Sequence, residues 1–128
     1  MSRELIADTL KLKKWAVVGA NDDPAKFGYR IFRVLKDFGY ETFPVNPKGG
    51  EIDGEKVYAS IKDLPEKPEV VDMVVNPRTG LKVMADIRDA GIKYVWMQPG
   101  TRSDEIRDFA AASGIALIED CILVRIGG

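Results

Sequence analysis

A chain of 128 residues, 45% hydrophobic and 30% charged, has the size and composition of one globular domain built around a single core. Nineteen basic against twenty acidic residues leave a formal net charge of −1, so no global positive field gathers nucleic acid or an anionic membrane, and any anion site has to be local. The lack of histidine excludes His-based triads, phosphohistidine transfer and the usual His-containing zinc sites, and the single Cys121 excludes an internal disulfide framework.

The opening segment MSRELIADTLKLKK has no apolar run long enough for a signal peptide or a membrane span. With one thiol, which fits a reducing compartment, the expected location is cytoplasmic. From Arg3 to about Lys11, Leu5, Ile6 and Leu10 share one helical stripe, with Ser2 as its cap. The first strand is Trp15 to Val18, stopped by Gly19. A helix from about Lys26 to Phe38 carries Phe27, Ile31, Val34, Leu35 and Phe38 at helical spacing and ends at Gly39. The second strand, Glu41 to Val45, halts at Asn46-Pro47. Lys48 to Glu69 reads as irregular, with a tight turn at Asp53-Gly54 and one helical turn from Ser60 to Leu64.

The third strand, Val70 to Val75, is halted by Asn76-Pro77. Leu81 to Ala90 is helical, closed by Gly91. The fourth strand, Tyr94 to Met97, ends in Gln98-Pro99-Gly100. Thr101 and Asp104 have capping-box spacing for a helix to Ala112; Gly114 ends it, and Ile115 to Ile118 is the fifth strand. Strands alternating with helices imply an α/β domain of Rossmann type spanning 1–128: an open, doubly wound parallel sheet of about five strands, expected in the order 3-2-1-4-5. The aromatics Trp15, Tyr29, Phe43 and Trp96 read first as core. Tyr29, one residue past Gly28, is also a candidate for the site.

In such a sheet a ligand lies beyond the carboxyl ends of the strands, beside the first strand. Four of those ends pass abruptly from apolar strand to polar or turn residues: Gly19-Ala20-Asn21, Val45-Asn46-Pro47-Lys48, Asn76-Pro77-Arg78 and Gln98-Pro99-Gly100. One alone would be turn chemistry; four on one sheet edge point to a polar pocket. Gly19 lets the backbone approach a pyrophosphate, and Gly28 opens a helix whose free amides and dipole favour an anion. On this reading Gly19→Val removes nucleotide binding and leaves the fold intact. The loop lacks the GxGxxG pattern, since position 21 is Asn. No carboxylate stands at the tip of the second strand to hold ribose hydroxyls, whereas Lys48, beside Gly49 and Gly50, suits a phosphate. That chemistry fits a nucleotide phosphorylated on its ribose, either coenzyme A or NADP. Cys121, just past the fifth strand, falls on the same edge, where an inert buried thiol and a mixed disulfide with a thiol ligand are both open.

The series VVGAN…KFG, PVNPKGG, VDMVVNP, VWMQPG and EDC resembles the family of small CoA-binding proteins, itself similar to the nucleotide-binding domain of the succinyl-CoA synthetase alpha subunit. The resemblance runs from about Leu10 to Ile122. It implies CoA contacts at Pro24, Ala25, Lys26 and Phe27, a phosphate contact at Lys48, and further contacts at Met97, Gln98 and Pro99. Asn46, Pro47, Asn76 and Pro77 would line the adenosine side by position. The synthetase acts through a phosphorylated histidine in a further domain, and this chain has neither, so the resemblance carries binding without ligase activity. The leading expectation is non-catalytic binding of coenzyme A or an acyl-CoA, as a sensor or as a subunit beside a partner or a second copy of itself. The alternatives are an NADP-dependent oxidoreductase or NADP-binding regulatory domain, and an interaction module with a vestigial pocket.

Overall fold

The run Trp15-Ala16-Val17-Val18 has no side chain that water would hold at the surface, and the fold places it deepest. In the computed structural model, which describes residues 3–127, Trp15, Ala16 and Val17 are wholly buried. The chain runs α1 (Arg3–Leu10), β1 (Lys14–Val18), α2 (Phe27–Asp37) and β2 (Glu41–Val45), then a hairpin of β3 (Glu51–Ile52) and β4 (Glu55–Lys56). A short 3₁₀ turn (Ile61–Asp63) leads to β5 (Val70–Met73), α3 (Pro77–Ala90), β6 (Tyr94–Met97), α4 (Asp104–Ser113), β7 (Ala116–Ile118) and a terminal π-helical turn (Leu123–Gly127).

The five long strands form one parallel sheet, as expected of a Rossmann-type α/β fold, in the order β2-β1-β5-β6-β7. This corrects the expected order 3-2-1-4-5: the third long strand lies on the far side of the first, giving 2-1-3-4-5. Pro44 supplies a physical reason. It pairs in register with Val17, and its carbonyl faces outward to accept Tyr58 N–H at 3.0 Å. Its ring nitrogen has no proton to offer a further strand on that side, so β2 has to be an edge. The connection from β2 to β5 also lacks the helix that an adjacent parallel crossover would use.

Alternation along each strand sorts the core into two layers. Ala16, Val18, Val71, Met73, Val95 and Met97 pack against Met84 and Ile87 of α3 and Ile106 and Ala110 of α4. Trp15, Val17, Val70 and Trp96 pack against Ile6 of α1, Ile31, Phe32 and Leu35 of α2, and Ile122. The α2 crossover therefore covers one face and the α3 and α4 crossovers the other, and the crevice between the ends of β1 and β5 is where they part.

Local chemistry moves two helix starts. α3 begins at Pro77, four residues before the expected Leu81, because Asn76 caps it: Oδ1 accepts Thr79 N–H at 3.0 Å, with proline in the first turn. The N-cap of α4 is Ser103, which accepts Ile106 N–H at 3.2 Å, while the Thr101 hydroxyl donates to Gln98 O at 2.6 Å. Asp53 and Gly54, both at positive φ, make the expected hairpin turn. The expected Ser2 cap lies outside the described residues. No helix among the described residues is long and apolar enough to cross a membrane.

The two indoles meet tilted by 54° with ring centroids 5.9 Å apart, and each N–H is satisfied: Trp15 Nε1 by Leu12 O at 2.8 Å, Trp96 Nε1 by Thr9 Oγ1 at 2.9 Å. Thr9 is itself wholly buried, so Thr9→Val strands the Trp96 N–H without water. Urea unfolding is expected to show a loss of about 1–3 kcal/mol at unchanged slope.

Candidate functional site

The site begins with a contact between two backbones. Gly19 leaves β1 at φ +99°, and a Cβ there would sit 2.6 Å from Val74 O. A Cβ on Gly28 would lie 2.0 Å from Gly19 O. The first turn of α2 therefore rests directly on the tip of β1. The expectation that Gly19→Val would spare the fold is corrected: Gly19 is small first because Val74 packs against it.

Between these glycines the loop is held by its own side chains. Asn21 Oδ1 accepts Asp23 N–H at 2.8 Å, and Asp23 Oδ1 accepts Ala25 N–H at 2.9 Å. Lys26 stands at the N-cap of α2 without a side-chain cap bond, and the first turn holds no acidic residue. The amides and positive dipole end of α2 thus face the crevice uncompensated.

A cleft of about 410 Å³ opens there. Gly19, Asn21, Lys26, Phe27, Gly28 and Ile31 form one wall, Val74, Val75 and Asn76 its floor at the end of β5, and Gln98, Pro99, Gly100, Thr101 and Cys121 the other wall. Two smaller recesses adjoin it. One of about 240 Å³ is lined by Ala20, Asn46, Lys48, Gly49 and Gly50 and shares Asn21 with the cleft. The other, of about 230 Å³, takes in Val45, Pro47, Ile61, Thr79 and Lys82 and shares Val75. Asn46 ties the rim together, donating from Nδ2 to Ala20 O at 2.9 Å and accepting Lys48 N–H at 3.0 Å.

Most of the sequence-derived site residues thus meet along one rim, and five do not line it. Pro24 and Ala25 are exposed on the outside of the loop. The Tyr29 hydroxyl turns away and donates to Asp53 Oδ2 at 3.0 Å, locking α2 to the hairpin together with Arg33 Nη1 at 3.0 Å. Pro77 is the first residue of α3, and Met97 is wholly buried in the α3/α4 layer. Cys121 does line the cleft, as its position after the fifth strand implied.

Sequence reasoning missed two features. Asp22 and Glu51 line the recess that holds Lys48, so carboxylates do stand near the tip of β2, brought from other segments. Asp72 lies wholly buried in β5, and burial pushes its carboxyl up to about 8. Its Oδ1 accepts Gln98 Nε2 at 2.7 Å, and Gln98 Oε1 accepts Ile122 N–H at 3.2 Å. A lone acid within the apolar run VVDMVV was the available signal. Behind the far wall, Arg102 Nε donates to Met97 O at 3.0 Å, and Arg107 grips Glu119 at 2.6 and 3.0 Å, holding that carboxyl below its ordinary range.

A family model described as "CoA binding domain" matches residues 13–127. The chain belongs to the CoA-binding domain family. This CoA-binding domain is 37% identical over 89 residues to the acetate–CoA ligase (ADP-forming) I alpha subunit of Pyrococcus furiosus, a match covering 65% of this chain and 19% of the subunit. The chain spans less than a fifth of the first ligase subunits it matches. A hypothetical protein from Pyrococcus horikoshii superposes with a TM-score of 0.92 at 33% identity, covering 100% of this chain and 94% of that one. An acetyl-coenzyme A synthetase from Candidatus Korarchaeum cryptofilum, solved with phosphate and ADP, matches with a TM-score of 0.74 at 27% identity, over 88% of this chain and 27% of that one.

Two stability measurements follow from this geometry. Gly28→Ala places a methyl against backbone that cannot yield and is expected to cost about 3 kcal/mol in urea unfolding, the upper end of overpacking. Gly39→Ala, at φ +90° in open space, should cost only the left-handed penalty of about 1–2 kcal/mol. Asp72 sets a pH slope. The unfolded chain ionises it in the ordinary acid range, while the folded chain keeps its proton up to about 8, so folding loses stability as pH rises across that interval. The loss is at most about 1.4 kcal/mol per pH unit and stops above the folded value. Asp72→Asn is expected to remove that component of the slope when urea midpoints are compared at about pH 5, 7 and 9.

Proposed function

We propose that this domain holds coenzyme A, or an acyl-CoA, across the cleft and its two recesses without transforming it. The observation that carries the reading is the acid-free, uncapped first turn of α2, seated by Gly28 on Gly19 and facing the main cleft. Pyrophosphate belongs at those amides with Lys26 beside it. The adenosine lies toward Asn46, Pro47 and Asn76 and the apolar recess of Val45, Ile61 and Val75. Lys48 takes the 3′-phosphate, and the pantetheine arm runs along Gln98, Pro99 and Gly100 toward Cys121. The acetate–CoA ligase alpha subunits among its relatives support a role as the coenzyme-holding unit beside a partner subunit that carries the chemistry.

Titration calorimetry with CoA, dephospho-CoA, NAD and NADP tests this. CoA is expected to bind about 1.5 kcal/mol more tightly than dephospho-CoA, roughly tenfold, the low end for a charge-assisted bond because Lys48 is exposed. Lys48→Ala should erase that gap, and added salt should narrow it. Tighter binding of NADP than of CoA would overturn the reading in favour of a dinucleotide site, for which Asp22 and Glu51 supply ribose acceptors.

A further inference from the structure

Among the described residues, Asp72 Oδ2 is the buried side-chain atom left without a hydrogen-bond partner. An acid is an expensive occupant of an interior strand, and a hydrophobic residue would pack there at no electrostatic cost. By strand alternation its side chain shares the face of its register partners Val17 and Trp96. Toward that face α2 presents Gly28, Ile31, Phe32 and Leu35, α1 presents Ile6 and Thr9, and the terminal segment presents Ile122. None of these is charged, and the titratable group that segment adds to the cleft wall is the Cys121 thiol. Lys26, at the mouth of the same cleft, is the cation that lines it.

The one partner Asp72 has is informative. Gln98 is 4% exposed and lines the cleft, and an amide can present either end. The bond from Nε2 to Asp72 turns Oε1 the other way, where it receives the buried Ile122 N–H. The Gln98 backbone carbonyl accepts the Thr101 hydroxyl, so loop 98–101 is closed on itself, and the Gln98 side-chain amide joins it to the segment at 121–122.

We propose that Asp72 is a positioning residue of the cleft: its carboxyl fixes the Gln98 amide and so sets how loop 98–101 and the Cys121–Ile122 segment meet along the cleft wall. This rests on the coenzyme A reading, in which the pantetheine arm runs along that wall toward Cys121. Loss of the proton places a negative charge one hydrogen bond beneath a cleft that has to receive an anion. Protein interiors screen such a charge weakly, so the ionised form rejects the ligand. If only the protonated form binds, apparent affinity falls in proportion to its population, about tenfold at one pH unit above the carboxyl's titration point.

Calorimetric titration with CoA near pH 6.5 and near pH 9 is expected to show that fall of about tenfold in the wild type. Asp72→Asn, which keeps a neutral acceptor for Gln98, should lose the alkaline fall. Asp72→Leu, which removes the acceptor, should weaken binding at both pH values. Persistence of the full fall in Asp72→Asn overturns the assignment. A second measurement needs neither variant nor ligand: NMR of the wild type should show the Asp72 carboxyl titrating well above the ordinary acid range, with the Gln98 side-chain amide following it. A carboxyl that titrates as an ordinary aspartate, or an amide that ignores it, also overturns the proposal. If the wild type fails to bind CoA near pH 6.5, the coenzyme reading falls by itself and the NMR result alone decides the positioning role.

Discussion

The seat of Gly28 on the carbonyl of Gly19 governs where everything else in the site can be. Two backbones meet there with no side chain between them, so α2 is brought closer to the sheet than any residue with a Cβ would allow. That proximity aims the open end of the helix across the tips of β1 and β5 instead of past them. The loop between the two glycines, exposed to solvent, settles into turns closed by Asn21 and Asp23. An anion-attracting helix end of this kind depends less on basic side chains than on amides held in place by the fold. A chain with a net charge of −1 can use it as well as a basic one.

The asparagines at the strand tips illustrate how the rim is built. Asn46 spans from β2 to the loop after β1, and Asn76 caps α3, so both spend their side chains on the backbone. Both hold neighbours still: the lysine loop in one case, the floor of the cleft in the other. A rim held rigid in this way has less to lose in ordering when anything binds at it.

The strands were legible because each is a short apolar run stopped by Gly, Asn-Pro or Gln-Pro, and that pattern also placed the edge at which the cleft opens. The order of the strands was less so. Right-handed crossovers allow either side of β1, and the deciding residue, Pro44, acts through a missing proton that hydrophobic patterning does not register. The start of α3 was hidden because Asn76-Pro77 stops a strand and opens a helix with the same two residues. Tyr29 was misplaced because helical spacing gives its position along α2 but not the pull of Asp53, which lies 24 residues away in a hairpin. Asp22 and Glu51 reach the lysine recess from separate segments, a juxtaposition that only the fold creates. Asp72 was visible as an oddity, but its partner Gln98 is on another strand's exit, and pairing the two requires the register of β5 against β6.

Pro44 has a consequence beyond strand order. Open parallel sheets end in two rows of unpaired backbone groups, each a template onto which another chain can add. Here one border is interrupted by an imide and bridged by Tyr58, while the opposite border, β7, is only three residues long. Neither offers a continuous ladder to a stray strand. A small sheet protein built this way is thereby protected from polymerising along its own hydrogen-bonding direction.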